Sequence, residues 1–219
     1  MPSQTLGRTL QPEIQYATLE QQGETAQLGM WVFIMTETLF IGALVFAYFV
    51  YRISYPHEFA EAAKDAVFWA GSINLGLLLT SSLTMVLAIN AVAQGRLREG
   101  KWLLLATAAL GIAFLCVKGA EYYLDYAKSH VVPGVHFEIK PDSAPVGVLF
   151  WTFYYCGTGL HATHLSVGIG LIFYMLWQLR RGGITPAYYA PLEVVGLYWS
   201  FVDAVWIFLY PCIYLPGRA

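Results

Sequence analysis

The chain has 219 residues, of which 58% are hydrophobic and only 12% are charged, about half the charged share of an ordinary soluble domain. Its 12 basic and 14 acidic side chains give a formal net charge of −2, which argues against nucleic-acid binding. Its three cysteines have no ligand or disulfide spacing, which argues against a secreted disulfide-rich module. This composition is typical of an integral membrane protein.

Five stretches are long and apolar enough to cross a bilayer, whose hydrocarbon core of about 30 Å needs about 20 apolar residues per helix. Such long, uninterrupted segments argue against a membrane barrel, whose strands alternate over about ten residues. The sequence therefore predicts an all-α, polytopic membrane bundle of five transmembrane helices over residues 27–219, preceded by a polar N-terminal tail over residues 1–26. The five predicted spans cover about residues 29–51, 66–93, 102–123, 145–177 and 192–215.

Two short connections between the predicted spans are basic. One carries Arg96, Arg98 and Lys101, and the other carries Arg180 and Arg181. Basic residues in short loops favour the cytoplasmic side of a membrane. We therefore expect the N-terminus to be cytoplasmic and the C-terminus to be periplasmic or external.

Glu37 lies about eight residues, or roughly 12 Å, inside the first span by the helical rise, with no Lys or Arg within one turn. A charge at the centre of a membrane costs roughly 2.5–3.5 kcal/mol on insertion scales, so it needs a partner or a role. Two interpretations stay open. Glu37 is either a protonatable site or polar anchor for a lipid or partner, or an acid hydrogen-bonded to a neighbouring helix.

Two other spans carry ionisable groups with candidate partners nearby. Lys118 and Glu121 are three residues apart, which favours a self-neutralising pair near the helix end over a proton relay. Asp203 shares a helix face with Trp199 and Trp206, whose indole N–H groups can donate hydrogen bonds. This pattern favours a carboxylate that is satisfied by the two indoles.

His161 and His164 are three residues apart in the fourth span, and no other predicted span contains a histidine. A metal site would need one or two further ligands from other helices. Hydrogen bonding within the bundle, or contact with a partner subunit or lipid head group, is therefore favoured over metal or haem ligation. The sequence also has no CxxCH, no cysteine pair and no phosphate loop. We expect no catalytic residue, metal ligand or bound redox cofactor on this chain.

Four motifs, in the same order, resemble subunit III of the haem-copper terminal oxidases. The motifs are WVFIMTETLF over residues 31–40, KGAEY over 118–122, TGLHATHLSVG over 158–168 and YWSFVDAVWIFLY over 198–210. The length and the five spans are similar to the shorter bacterial form, as in caa-type cytochrome c oxidases. Where the last helix of that family usually has His before Phe-Val-Asp, this sequence has Ser200.

The resemblance implies a non-redox subunit of a proton-pumping oxidase in the bacterial cytoplasmic membrane. Such a subunit packs beside catalytic subunit I, with subunit II in the same complex, holds phospholipids and sustains proton uptake. Haem and copper are then expected in the partner subunits, with cytochrome c as electron donor and oxygen reduced to water. Glu37 matches the intramembrane carboxylate of the family.

Three alternatives stay open. Quinol is the close alternative to cytochrome c as donor, because the donor site lies in other subunits. The second alternative is an accessory protein of a nitric oxide reductase, and the third is a stand-alone proton-coupled transporter. The transporter hypothesis uses Glu37, His161, Lys118 and Asp203 as a relay.

Overall fold

The computed structural model describes residues 14–64, 66–129, 131–132, 136–137 and 144–218, so the first half of the predicted tail lies outside the described residues. The elements, in chain order, are α1 (Leu19–Ser54), α2 (Pro56–Ala63), α3 (Phe68–Ala93), α4 (Leu97–Leu124), β1 (Val131–Val132), β2 (His136–Phe137), α5 (Ala144–Arg181) and α6 (Ala190–Tyr214). A π-helical turn over Asp125–Ser129 continues α4, and a 3-10 turn over Pro216–Arg218 follows α6.

Five of these helices, α1, α3, α4, α5 and α6, are long and apolar enough to cross a membrane. The prediction of an all-α bundle with five transmembrane helices is therefore confirmed. The two strands form one short antiparallel pair between α4 and α5, with Val131 opposite Phe137.

The first helix begins inside the predicted polar tail. Thr18 caps α1, because its hydroxyl accepts a hydrogen bond from the backbone N–H of Gln21 at 3.1 Å. The polar residues that follow the cap form the first turns of the helix instead of an extended tail. Only 6% of the apolar span of α1 is buried within the chain, so this helix lies at the edge of the bundle.

The short helix α2 was not predicted, because its charged residues made the connection after the first span look like a loop. Pro56 occupies the first turn of α2, where its missing N–H does no harm. Phe59 is fully buried, with its ring centroid 5.6 Å from that of Tyr48 and 5.8 Å from that of Phe150. One buried aromatic side chain therefore attaches α2 to α1 and α5.

The helices α3 and α4 form a tight antiparallel hairpin. Gly95, with φ of 79°, makes the turn in the left-handed backbone region that favours glycine. Further along the hairpin, the hydroxyls of Thr84 and Thr107 lie 2.8 Å apart and join the two helices.

The last helix forms the centre of the bundle, with 56% of its apolar span buried. Its Trp199, Trp206 and Tyr214 are almost fully enclosed at three successive levels. The indole N–H of Trp199 donates to the Ser81 hydroxyl on α3 at 3.0 Å. Large aromatic side chains on α6 thus fill the space between the other helices, and the Trp199–Ser81 hydrogen bond joins α6 to α3.

Candidate functional site

The ammonium group of Lys118 is buried near the C-terminal end of α4 and has three acceptors. It donates to Glu121 Oε2 at 3.0 Å, to the Tyr154 hydroxyl at 2.9 Å and to the Tyr214 hydroxyl at 2.9 Å. An ammonium group has three protons, so all its donors are used. Its charge also lies 4.4 Å from the centroid of the Tyr154 ring, a cation–π distance. The side chain is therefore held by α4, α5 and α6 together.

The carboxyl group of Glu121 is equally enclosed. Its Oε1 accepts from the hydroxyls of Tyr154 at 2.9 Å and Tyr214 at 2.7 Å. The Tyr154 hydroxyl is also 3.2 Å from Oδ2 of Asp125. Because this hydroxyl has one proton, it can donate to only one of the two carboxylates at a time. We call these five residues, Lys118, Glu121, Asp125, Tyr154 and Tyr214, the core network.

Glu37 on α1 pairs with His164 on α5, with 3.1 Å between Oε2 and Nε2. The Nδ1 atom of His164 lies 2.9 Å from the Leu160 carbonyl oxygen, which can only accept, so Nδ1 carries a proton. The Nε2 atom and the carboxyl group then share a single proton, either as a neutral pair or as imidazolium and carboxylate. The pair has zero net charge in both forms, which suits its position near the middle of an apolar helix.

A groove of about 340 Å³ lies beside the Glu37–His164 pair, between α1, α5 and α6. Its walls are largely apolar, and His164 forms part of them. The hydroxyl of Tyr198 borders the same groove and donates to the His164 carbonyl at 2.9 Å. The side chains of His164 and Glu37 are only 16% and 23% exposed. The pair therefore lies largely buried at the edge of this apolar groove.

The two histidines of the fourth span face different surroundings. His161 points into the core, with its ring centroid 5.3 Å from that of Phe114 and 5.0 Å from that of Trp206. His164 is engaged by Glu37 instead. Among the described residues, no group of three or more His, Cys, Asp or Glu side chains is placed to hold a metal ion. Aromatic rings surround His161, whose two ring nitrogens have no partner among the described residues, whereas both ring nitrogens of His164 are engaged.

The predicted partners of Asp203 are wrong. The indole of Trp199 donates to Ser81 on α3, and the indole N–H of Trp206 reaches no acceptor among the described residues. Neither carboxyl oxygen of Asp203 has a hydrogen-bond partner among the described residues. The prediction failed because the direction in which each indole points depends on how α6 packs against α3, which the spacing along one helix does not reveal.

Sequence reasoning found Lys118 and Glu121 but missed the other members of the core network. Asp125 follows Glu121 by four residues, a spacing that places both on one helix face and could have signalled it. The tyrosine hydroxyls gave no such signal, because tyrosine is also frequent in ordinary membrane-helix packing. The transporter hypothesis predicted a relay through Glu37, His161, Lys118 and Asp203. The structure instead pairs Glu37 with His164 and places Lys118 in the core network, and the side chains of His161 and Asp203 have no hydrogen-bond partner among the described residues.

These contacts define a class of protein, a polytopic membrane bundle with one buried ion pair inside a helix and one acid–histidine pair between helices. The family model described as cytochrome c oxidase subunit III matches residues 14–218, which include all five spanning helices. The chain therefore belongs to the cytochrome c oxidase subunit III family. Membership implies that it associates with other oxidase subunits.

Individual relatives agree with the family match. Cytochrome c oxidase subunit 3 of Alkalihalophilus pseudofirmus is 32% identical over 204 residues, which cover 92% of this chain and 90% of that protein. Quinol oxidase subunit 3 of Bacillus spizizenii is 30% identical over 207 residues, with coverage of 92% and 93%. Cytochrome c oxidase subunit 3 of Emericella nidulans is 29% identical over 196 residues, covering 87% of this chain and 67% of that protein. Relatives of both donor types are thus similarly close.

Proposed function

We propose that this chain is a non-redox subunit III of a proton-pumping haem-copper oxidase. In this proposal it stabilises catalytic subunit I, retains phospholipid and sustains proton uptake, while the partner subunits hold haem and copper. The observation that carries the proposal is the Glu37–His164 pair, because it joins α1 to α5 near the middle of the apolar span of α1. The family match over the whole bundle supports the assembly.

The groove beside this pair is the proposed phospholipid site. Its largely apolar walls suit an acyl chain, and the neighbouring pair and Tyr198 hydroxyl supply polar contacts at one wall. A lipid in this position would contact α1 and α5 together. Its retention would then depend on the pair that joins these two helices.

Affinity purification tests the assembly. The tagged chain is extracted in a mild detergent, and the eluate is analysed for subunits I and II, for haem and copper and for oxygen reduction. We expect co-isolation of haem-bearing subunits that consume oxygen. Recovery of the chain alone as a stable, active protein would contradict the proposal, and proton transport by that protein in liposomes would favour the transporter instead.

The same preparation identifies the electron donor and the class of complex. Cytochrome c is the proposed donor, and quinol is the second candidate because a quinol oxidase subunit 3 is among the similar relatives. Oxygen uptake is measured with reduced cytochrome c and, separately, with a quinol. A partner that contains haem and non-haem iron but no copper would indicate the nitric oxide reductase alternative.

Two substitutions of Glu37 distinguish the role of its proton from the role of its hydrogen bond to His164. Gln can still donate to the neutral Nε2 atom of His164, so Glu37→Gln keeps a hydrogen bond but loses the shared proton. We expect normal haem content with altered turnover during prolonged assays or altered lipid retention, and a larger effect for Glu37→Leu. The control is Glu24→Gln, the same charge change at an exposed position of α1. Loss of all haem in Glu37→Gln would contradict the proposal.

The proposed location is the bacterial cytoplasmic membrane, with the N-terminus in the cytoplasm and the C-terminus outside. The basic α3–α4 and α5–α6 connections support this orientation. Single cysteines introduced at Arg98 and at His57 would then react from opposite sides of intact cells. Labelling of residue 98 by an impermeant thiol reagent added outside would contradict the orientation.

A further inference from the structure

The buried side-chain polar atoms that have no hydrogen-bond partner among the described residues belong to Asn74, Asp125, Tyr155, His161, Asp203 and Trp206. Three of these residues lie on three different helices. They are Asn74 on α3, His161 on α5 and Trp206 on α6, with exposures of 0%, 2% and 0%. Both amide atoms of Asn74, both ring nitrogens of His161 and the indole nitrogen of Trp206 are unpartnered. We call these three residues the mid-bundle layer.

The contacts of the aromatic rings place two members of the layer together. The centroids of the His161 and Trp206 rings are 5.0 Å apart, and both rings pack on Phe114 of α4. The ammonium group of Lys118 lies 5.6 Å from the centroid of the Trp206 ring. The mid-bundle layer therefore lies next to the core network, at Lys118.

The register of α3 places Asn74 at the same level. The hydroxyls of Ser72 and Tyr210 lie 2.8 Å apart, and the Trp199 indole donates to Ser81 at 3.0 Å. These two contacts bracket Asn74 on α3 and Trp206 on α6 in an antiparallel arrangement. Asn74 therefore lies level with the turn of α6 that carries Trp206.

The α3–α4 hairpin gives the same level independently. Its two helices are antiparallel and are joined by the contact between Thr84 and Thr107. Ten residues back along α3 from Thr84 is Asn74, and ten residues forward along α4 from Thr107 is Val117, between Phe114 and the end of the helix. Both registers therefore place Asn74 level with the turn of α6 that carries Trp206 and with Val117 on α4.

Leaving buried polar groups unpaired is costly, at about 1–3 kcal/mol for each group. More than about 90% of buried polar groups in proteins have a partner, which makes a cluster of unpaired atoms at one level exceptional. The donors of the layer are the Asn74 amide, the Trp206 indole and one ring nitrogen of His161. The acceptors are the Asn74 side-chain carbonyl and, when the imidazole is neutral, the other ring nitrogen of His161. A suitable ligand must therefore both donate and accept.

We propose that the mid-bundle layer is a binding site for ordered water molecules. Water is the small ligand that both donates and accepts, and buried water commonly makes about three hydrogen bonds to such groups. Asp203, three residues before Trp206 on α6, also has two unpartnered carboxyl oxygens, and water can donate to these acceptors as well. An anion would face these acceptors, and a cation would face the donors and the nearby Lys118 charge. The bound water joins α3, α5 and α6 by hydrogen bonds that their side chains do not make directly.

The direct test is a high-resolution density map of the assembled complex that contains this chain, purified from its native membrane. The map must resolve ordered water elsewhere in the protein. We expect density peaks within hydrogen-bond distance of Asn74, His161 and the Trp206 indole nitrogen. A map of that quality without such peaks, or one in which these side chains bond directly to one another, would overturn the proposal.

A substitution gives a second test through the sign of its effect. If water binds the layer, Asn74→Leu removes partners from that water and lowers the thermal midpoint of the complex. If the layer is dry, the same change removes unpaired polar atoms and raises the midpoint. The control is Ser81→Ala, which removes a direct partner of Trp199 and is expected to leave the density at Asn74 intact. An unchanged or raised midpoint for Asn74→Leu, or loss of that density in Ser81→Ala, would contradict the proposal.

Discussion

The buried charge of Lys118 provides a quantitative prediction for the core network. Replacing Lys118 with Met removes the cation but leaves the Glu121 carboxyl group in a site that is closed to water, with side-chain exposures of 3% and 0% for the pair. Three hydrogen bonds that involve a charged group are lost at once. Two tyrosine hydroxyls still donate to Glu121, so its charge is only partly compensated.

Breaking such a buried pair from one side costs about 3–5 kcal/mol in the free energy of unfolding. The double variant Lys118→Met/Glu121→Gln should recover at least half of that loss, since the pair is then neutral and Gln can still accept from the tyrosines. The free energies are measured by SDS titration of the chain in detergent micelles, followed by tryptophan fluorescence. The buried Trp199 and Trp206 report on the core.

The Arg96–Glu99 pair is a matched control at the start of the same helix. It has the same three-residue spacing, but its side chains are 50% and 57% exposed. Arg96→Met should therefore cost no more than about 1 kcal/mol. Equal losses for Arg96→Met and Lys118→Met, or a double variant no more stable than Lys118→Met alone, would refute the reasoning.

Two further pairs of variants test the packing around these sites. A Cβ atom at Gly71 would lie 2.7 Å from the Tyr214 ring, so Gly71→Ala should lower stability by about 1–3 kcal/mol, whereas Gly76→Ala, at an open position, should be neutral or stabilising in the same SDS titration. Equal effects of the two alanines would contradict this packing. Tyr154→Phe loses contacts with charged groups and should cost more than Tyr198→Phe, which loses one bond to a carbonyl worth about 0.5–1.5 kcal/mol. The reverse order would show that Tyr154 contributes through its ring alone.

The sequence was sufficient to predict the five spanning helices, because each needs a long apolar stretch and little else. It did not predict where the first helix begins or that α2 follows it, because these features depend on local side-chain contacts. The cap at Thr18 extends α1 into a polar segment, and the burial of Phe59 organises a charged connection as α2. Neither effect changes mean hydropathy, so the pattern of apolar residues could not reveal it.

The candidate site could be predicted only where its members are neighbours in sequence. Lys118 and Glu121 were found because their spacing brings them together on one helix. The partner of Glu37 could not be assigned, since His161 and His164 lie on similar faces of α5 and only the packing of α1 selects His164. Tertiary packing likewise turned the indole of Trp199 away from Asp203 and towards α3.

The most direct test of the central claim is to remove this chain from the purified complex and to analyse the subunits that remain. We expect the remaining subunits to retain their full complement of haem and copper and their initial rate of oxygen reduction, and to lose activity during sustained turnover. Loss of haem or copper together with this chain would contradict a non-redox role for it.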